Sequence, residues 1–239
     1  MPKFIYVPTD AGDISYDSAD TWYWPMDEGS GTALGEDENS IDLVLSNGSW
    51  SSNGGPNGLI SVPAFNGSST EAERNSTTIG LGSTSLSFAA WIYNSISADA
   101  IIYHNRGGSN DTGFQVDLGY HPFNDEEINF RLYNTSGVQR SFLLYGVLPK
   151  NEWTHVAFTL DRSTTNSPWA IYINGSLADS GTKDLAFFGS ITPTSSGGVL
   201  FGSDETASFF EGRLCDAWIF RDKVLTASEV LTLYKYLGD

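Results

Sequence analysis

The fold of this chain is decided by residues 151–181, "NEWTHVAFTLDRSTTNSPWAIYINGSLADSG". From Trp153 to Leu160 the side chains alternate between two faces, one of them largely apolar, as they do in a half-buried strand. "PWAIYING" repeats the alternation. Asn174-Gly175 then supplies the two positive φ angles of a type I′ turn, and "SLADSG" returns as the partner strand. The stretch therefore predicts an antiparallel sheet.

His155 lies inside this stretch and Asp161 follows six places later, so a catalytic site is the alternative interpretation. Acyl transfer needs an activated nucleophile, and the chain contains no Gly-x-Ser-x-Gly elbow. We therefore expect His155 to pack on a sheet face. His104 and His121 are expected near strand ends, where they are solvated or hydrogen-bonded, with ligand contact as the alternative.

Similar short segments recur along the chain. They are "SLSFAAWIYN" (85–94), "AIIYHN" (100–105), "TGFQVDLGY" (112–120), "EINFRLYN" (127–134), "QRSFLLYG" (139–146), "GGVLFGS" (197–203) and "GRLCDAWIFR" (212–221). Gly, Asn, Ser, Asp and Pro separate them at short intervals, and no helical stretch intervenes. This pattern is typical of an all-β sandwich or jelly roll built from two antiparallel sheets.

One helix is predicted, at the C-terminus. Thr226 is a suitable N-cap, and Glu229 three residues later completes a capping box. Leu225 and Val230 can form the hydrophobic staple that accompanies it. We expect this short helix to close one side of the sandwich.

Composition limits the function classes. The 239 residues carry a net charge of −17, from 12 basic and 29 acidic side chains, which argues against binding to nucleic acid or an anionic membrane. The N-terminus lacks the apolar run of a signal peptide. Cys215 is the single cysteine, so no intrachain disulfide can form, and we expect a buried thiol. The sequence thus favours synthesis in a reducing cytosol.

Residues 1–20 differ from the rest in being acidic and without clear periodicity after "KFIYV". We interpret them as an N-terminal arm, and residues 21–239 as the sandwich domain. The arm either packs on its own domain or reaches another subunit. In the second case its removal should leave the fold intact and abolish assembly.

Five segments in order resemble laminin-G-like, concanavalin A-like jelly-roll domains. They are "YWPMDEGSGT" (23–32), "LSFAAWIY" (86–93), "WTHVAFTLD" (153–161), "YINGSLADSG" (172–181) and "GRLCDAWIFRDKVLTASEVLTLY" (212–234). The resemblance implies two stacked antiparallel sheets of about fourteen short strands. Lectins, carbohydrate-binding modules, glycoside hydrolases, adhesion modules and virus particle proteins share this fold, so the fold does not settle the function.

Sugar binding in this fold uses aromatic platforms and polar loop residues at one edge of the sandwich. Two segments, 104–113 and 119–127, have that chemistry, although such composition is also common in ordinary turns. The candidate glycan ligands are His104, Asn105, Arg106, Asn110 and Asp111, followed by Tyr120, His121, Phe123 and Asn124.

Glycoside hydrolysis requires two carboxylates facing one groove. The hydrolases of this fold carry them along one strand, as Glu-x-Asp-x-x-Glu or a close variant. "NDEEINF" (124–130) offers Asp125, Glu126 and Glu127, but no second acid follows on the same face. We therefore expect a solvated loop there, and no enzyme.

Relatives often hold one structural Ca²⁺, which takes six to eight oxygen ligands. The family's last strand commonly reads Gly-Arg-Ile-Asp-Asp, and here Cys215 replaces the first acid while Asp216 is retained. A thiol is a poor calcium ligand. The candidate ligands are Asp27, Glu28, Asp37, Asp42 and Asp216.

Two function classes follow from these observations. The first is a non-catalytic structural or surface protein of a larger assembly, most plausibly a virus particle decoration or tail-associated protein on the virion surface. It would be homo-oligomeric or bind other virion proteins through the arm. The second is a free carbohydrate-binding module, extracellular or cytoplasmic.

Overall fold

The structure is a computed structural model. It describes residues 3–5, 14–37, 39–58, 60–75, 77, 79–95, 99–106, 112–119, 127–193, 198–204 and 208–238. The elements of this described part are β1 Lys3–Ile5, β2 Ile14–Tyr16, a 3₁₀ turn Ser18–Asp20, β3 Thr21–Trp24, β4 Ala33–Leu34, β5 Leu43–Ser46, β6 Ser49–Ser51, β7 Val62–Asn66, β8 Glu71–Arg74, β9 Leu86–Asn94, β10 Ala100–Arg106, β11 Gly113–Leu118, β12 Ile128–Tyr133, β13 Gln139–Leu144, β14 Trp153–Leu160, β15 Asn166–Ile173, β16 Ser176–Asp184, β17 Gly198–Phe201, β18 Glu211–Arg221 and α1 Ala227–Gly238.

The strands form two stacked antiparallel sheets, which confirms the predicted all-β jelly-roll sandwich. Sheet I has the order β13-β12-β11-β10-β17-β8-β5-β4. Sheet II has the order β16-β15-β14-β9-β18-β7-β6, and β3 also pairs with β18. Strands β1 and β2 form a separate two-stranded ribbon. The non-sequential neighbours in each sheet are the crossovers that a jelly roll requires.

The described residues contain more strands than the fourteen implied by the family resemblance. Every strand predicted from alternation between residues 85 and 221 is present. The additional ones are two to five residues long and lie mainly before Arg74, for example β4 and β6. Such short segments are too brief to show a period of two, so only pairing with their neighbours identifies them.

The decisive stretch folds as predicted. Strands β14 and β15 pair in sheet II, and β15 turns into β16 through Asn174 and Gly175, whose φ angles are 49° and 74°. Val156, Phe158 and Leu160 point into the core between the sheets. That core is rich in stacked aromatic rings; the rings of Phe130 and Phe158, one from each sheet, lie 4.7 Å apart at 10°.

A second apolar cluster lies on the outer face of sheet II. Trp218 and Phe220 of β18 are covered there by Val230 and Leu233 of helix α1. The helix begins with the predicted capping box, since Thr226 and Glu229 exchange hydrogen bonds between side chain and backbone. The helix therefore closes one side of the sandwich as predicted. The helix has twelve residues, which is too few to cross a bilayer. Among the described residues, no helix is long and apolar enough to span a membrane.

The last part of the N-terminal arm packs on this same outer face. Ile14 and Tyr16 of β2 are buried in the second cluster, with the Tyr16 ring edge-on to both Trp218 and Phe220. Asp20 forms an ion pair with Arg221. The part of the arm from Ile14 onward is therefore tied to its own domain.

Candidate functional site

The outer face of sheet I carries a polar cluster. Strands β10, β11 and β12 are adjacent in this sheet, and alternation sends Phe114, Val116 and Phe130 into the core. The intervening side chains lie on the opposite side of the sheet. We call this set the polar face: His104, Arg106, Gln115, Asp117, Glu127, Asn129, Arg131 and Tyr133. All of these except Tyr133 are buried, which is unusual for an outer sheet face composed of ionisable and amide groups.

Five members of the polar face form a closed ring of interactions. Arg106 donates to Gln115 (2.9 Å), which in turn donates to Asp117 (3.2 Å). Arg131 donates to the other carboxylate oxygen of Asp117 at 2.6 Å and to the Tyr133 hydroxyl at 3.4 Å. The Arg106 guanidinium closes the ring by lying 3.6 Å from the centroid of the Tyr133 ring. Such a network holds its side chains in one arrangement before any ligand arrives.

A glycine makes this ring possible. Gly113 is the register partner of both Arg106 and Tyr133, so it lies between them in the sheet. A Cβ atom at Gly113 would lie 2.6 Å from Cγ of Arg106. Because that space is open, Arg106 reaches across β11 to the tyrosine ring.

Next to the ring lie buried acceptors without a hydrogen-bond partner. Both carboxylate oxygens of Glu127 and the Oδ1 atom of Asn129 have none, and their residues are 0% and 2% exposed. Nε2 of His104 is also buried and has none. Buried polar groups are nearly always paired in folded proteins, so these atoms mark a place where a ligand can supply the missing hydrogen bonds.

Burial shifts the proton affinities in this cluster. Burial raises the pKa of Asp117 to about 7, with Arg131 and Gln115 opposing the rise and Glu127 adding to it. Burial lowers the pKa of His104 to about 4, and the charge of Arg106 lowers it further. At neutral pH His104 is therefore a neutral imidazole that can accept or donate one hydrogen bond.

The predicted glycan ligands separate into three groups. His104 and Arg106 belong to the polar face, although we expected them in a solvated loop and both lie in strand β10. Asn105 points to the other side, where its amide bonds the backbone nitrogen and oxygen of Ile79, so its role is structural. Asn110, Asp111, Tyr120, His121, Phe123 and Asn124 lie outside the described residues.

Sequence reasoning missed most of the polar face. Periodicity alone predicts only that five of these residues lie in strands: Gln115, Asp117, Asn129, Arg131 and Tyr133. The alternation in "FQVDL" and "INFRLY" does place them on the face opposite the phenylalanines, which was the available signal. Glu127 was expected in a solvated loop. It is buried instead, because it lies directly before β12 and close to Asp117 of the neighbouring strand.

The calcium candidates do not form a metal centre in the described part of the chain. Glu28 accepts from the backbone nitrogen of Gly35 (2.5 Å), and Asp42 accepts from that of Glu36 (3.0 Å). Asp216 is fully buried and accepts from the indole of Trp218 at 3.1 Å. Asp27 and Asp37 complete the set, and the described residues contain no group of three or more His, Cys, Asp or Glu arranged to hold a metal. Calcium also takes backbone carbonyl oxygens, and Asp27 lies near Asp216 while Asp37 lies near Glu28, so the calcium site stays a prediction.

The remaining candidates are scaffold. His155 is fully buried on the outer face of sheet II between the rings of Trp91 and Tyr234, as predicted. Cys215 is buried, and burial raises the pKa of its thiol well above the ordinary value, so it is unreactive. Trp50 is half-buried and donates to the backbone oxygen of Gly31.

Two stacked antiparallel sheets, one with a buried polar outer face, define a lectin-like jelly-roll sandwich. Residues 66–231 match the family model described as the concanavalin A-like lectin/glucanases superfamily, of the laminin-G-like type. The match spans more than half of the chain. The chain belongs to this family.

Solved structures share the fold at low identity. The receptor-binding domain of botulinum neurotoxin D is similar over 91% of this chain and 53% of that one, with a TM-score of 0.66 at 15% identity. The binding domain of Paraclostridial Mosquitocidal Protein 1 is similar over 93% of this chain and 56% of that one, with a TM-score of 0.67 at 14% identity. The binding domain of botulinum neurotoxin serotype G has a TM-score of 0.64 at 18% identity, over 90% of this chain and 50% of that one. The chain thus spans about half the length of these structures, and no curated protein matches it.

Proposed function

We propose that this protein is a non-catalytic, lectin-like module that binds a glycan on the polar face. The observation that carries the proposal is the group of buried acceptors of Glu127, Asn129 and His104 that have no partner. The family is that of the concanavalin A-like lectins and glucanases, and the similar structures named above are binding domains. These two facts support the proposal.

The chemistry of the polar face suits a sugar. Sugar hydroxyls donate hydrogen bonds, and the unpartnered oxygens of Glu127 and Asn129 accept them. The half-exposed Tyr133 ring at the margin of the cluster offers an apolar surface for the C–H face of a sugar ring. Because the ring of interactions fixes Arg106 and Arg131 beforehand, little side-chain entropy is lost on binding.

One feature of the polar face supports a non-catalytic role. A glycosidase needs one carboxyl group that can give a proton to the leaving oxygen and a second that acts as base or nucleophile. Both oxygens of Asp117 already accept hydrogen bonds, one from Arg131 and one from Gln115. The hydrogen bonds of Asp117 therefore hold it as an acceptor.

A glycan array tests the proposal. The wild-type chain should bind a subset of glycans, and Asn129→Ala and Arg131→Ala should each weaken that binding at least about tenfold, the equivalent of about 1.4 kcal/mol. Glu152→Gln, an exposed residue before β14 in sheet II, is the matched control and should bind as wild type. No binding to any glycan, or binding that both polar-face variants retain, would refute the proposed site.

The assembly role remains a separate prediction. None of the similar structures named above is a virus particle protein, and the part of the arm from Ile14 to Asp20 contacts its own domain. Oligomerisation, virion partners and a virion location therefore have no support beyond the sequence argument.

A further inference from the structure

The buried acceptors next to the ring of interactions include a complete carboxylate. Glu127 is 0% exposed, and neither of its oxygens has a hydrogen-bond partner. Asn129, two residues later on the same face, adds a third unpartnered oxygen. Burying carboxyl and amide oxygens without hydrogen-bond donors is unfavourable, so these three oxygens mark a place where a ligand can supply donors.

The neighbouring cations are engaged elsewhere. Arg131 bonds Asp117 at 2.6 Å, and Arg106 bonds Gln115 and stacks on Tyr133. Asp117 itself has its pKa raised to about 7 by burial, in spite of Arg131, and the charge of Glu127 contributes to that rise. The positive charge near Glu127 is therefore already shared with another carboxylate.

The two segments that connect these strands along the chain are acidic in composition. The segments that join β10 to β11 and β11 to β12, residues 107–111 and 120–126, contain no Lys or Arg. They contain three acids instead, Asp111, Asp125 and Glu126, in a chain whose net charge is −17. A positively charged group on the ligand would complement this acidic composition.

We propose that the polar face selects a sugar that carries a free primary amine, with Glu127 as the residue that recognises its ammonium group. This inference rests on the glycan-binding function proposed above and names the ligand class. An ammonium brings one positive charge and three N–H donors, the same number as the unpartnered oxygens of Glu127 and Asn129. A neutral sugar supplies donors but brings no positive charge to the two neighbouring acidic side chains, Asp117 and Glu127.

A divalent metal is a poorer fit for the same position. Metal ions of this class need several carboxylate or imidazole ligands converging on one point. The described residues form no such group of three, at the polar face or elsewhere. An ammonium needs only the hydrogen-bond acceptors that are present.

The test uses three β-1,4-linked tetrasaccharides of glucose that differ only at C2. Fully deacetylated chitotetraose carries ammonium groups, its N-acetylated form carries amides, and cellotetraose carries hydroxyls. Calorimetric titration of the full chain should give at least about tenfold tighter binding, the equivalent of about 1.4 kcal/mol, for the deacetylated sugar. Glu127→Gln should reduce the three affinities to within about twofold of one another.

Matched variants separate recognition from general attraction between an acidic protein and a cationic sugar. Glu152→Gln changes the net charge by the same amount at an exposed position, and it should keep the preference. Asn129→Asp is nearly isosteric and adds a second negative charge, so it should increase the preference. Asn129→Asp also carries the test if Glu127→Gln does not fold.

The outcomes distinguish the two proposals. Equal binding of all three sugars would refute amine recognition and leave the glycan-binding function standing. A preference that survives in Glu127→Gln and does not rise in Asn129→Asp would also refute amine recognition at this site. No binding to any of the three, together with an empty glycan array, would refute the glycan-binding function itself.

Discussion

Asp216 is a buried acid in an unusual backbone conformation. It is fully buried with φ at 53°, and burial raises the pKa of its carboxyl to about 7, which the hydrogen bonds with Tyr23 and Trp218 only partly offset. The unfolded chain ionises near pH 4, whereas the folded chain keeps its proton up to about pH 7. The free energy of unfolding contributed by this group therefore falls between about pH 4 and pH 7 and is constant above.

Asp216→Asn should remove that pH dependence. Asparagine tolerates positive φ and keeps an acceptor for Trp218, so the variant should be more stable than wild type at pH 8, by on the order of 4 kcal/mol at most. Urea unfolding at pH 4 and pH 8 measures this directly. Asp222→Asn, exposed and also at positive φ (56°), is the control and should change little. An Asp216→Asn variant less stable than wild type at pH 8 would contradict the argument.

His155 should make the protein sensitive to acid in the opposite sense. Burial lowers the pKa of His155 to about 3, and neither ring nitrogen has a hydrogen-bond partner. As the pH falls from about 6.5 to 3, His155 binds a proton in the unfolded chain but stays neutral in the folded chain. The free energy of unfolding therefore decreases over this range. His155→Leu should be neutral at pH 8 and more stable at pH 4, by about 3 kcal/mol at most. Identical acid unfolding midpoints for the two proteins would show that His155 does not control this transition.

At the scale of the element, helix α1 depends on its first turn. The backbone nitrogen of Thr226 donates to the Glu229 carboxylate at 2.8 Å, and the backbone nitrogen of Glu229 donates to the Thr226 hydroxyl at 3.3 Å. The Lys223 ammonium forms an ion pair with the Glu229 carboxylate at 2.6 Å. Thr226→Ala removes the cap and should destabilise the fold by about 1 kcal/mol, lowering Tm by about 2–4 °C. Ser228→Ala, at an exposed position in the same turn, should leave Tm unchanged or slightly raised. Equal melting temperatures for the two variants would mean that the cap contributes nothing to stability.

The elements differ in how far their sequence predicts them. Local periodicity and capping residues can be seen in the sequence itself. They predict the helix, the strands from residue 85 onward and the packing of His155 on a sheet face. The polar face depends on sheet order, because Arg106, Asp117 and Arg131 come from three strands and meet only through pairing. Along one strand Glu127 has no same-face acid after it, and its neighbour Asp117 belongs to the strand before. Local patterns cannot give that register.

At the scale of the whole molecule, the two outer faces of the sandwich are built differently. On the outer face of sheet II, the apolar cluster around Trp218 and Phe220 is covered by the chain's own α1 and β2. The outer face of sheet I carries the polar face, with acceptors that no described residue satisfies. The packing of the arm and the helix therefore stabilises the fold on the sheet II side, and the proposed binding site lies on the sheet I side.

Deletion of the N-terminal arm tests whether the packing on sheet II stabilises the fold. Because Ile14 and Tyr16 cover Trp218 and Phe220, removal of residues 1–20 should expose that apolar surface and destabilise the fold by about 2–4 kcal/mol. A loss of that size lowers Tm by about 5–15 °C and favours aggregation. This expectation replaces the earlier one, in which the truncated chain folds normally.

A shorter deletion separates packing from assembly. Removal of residues 1–13 keeps Ile14 and Tyr16, so its Tm should stay within a few degrees of the full chain. Light scattering then reads the solution mass of both proteins: a defined oligomer that falls to a monomer in the shorter deletion, with Tm retained, would assign assembly to residues 1–13. A monomer in both cases would remove the oligomer prediction and leave a free binding module. If removal of residues 1–20 leaves Tm unchanged, β2 contributes nothing to the fold and the apolar cluster on sheet II does not need it.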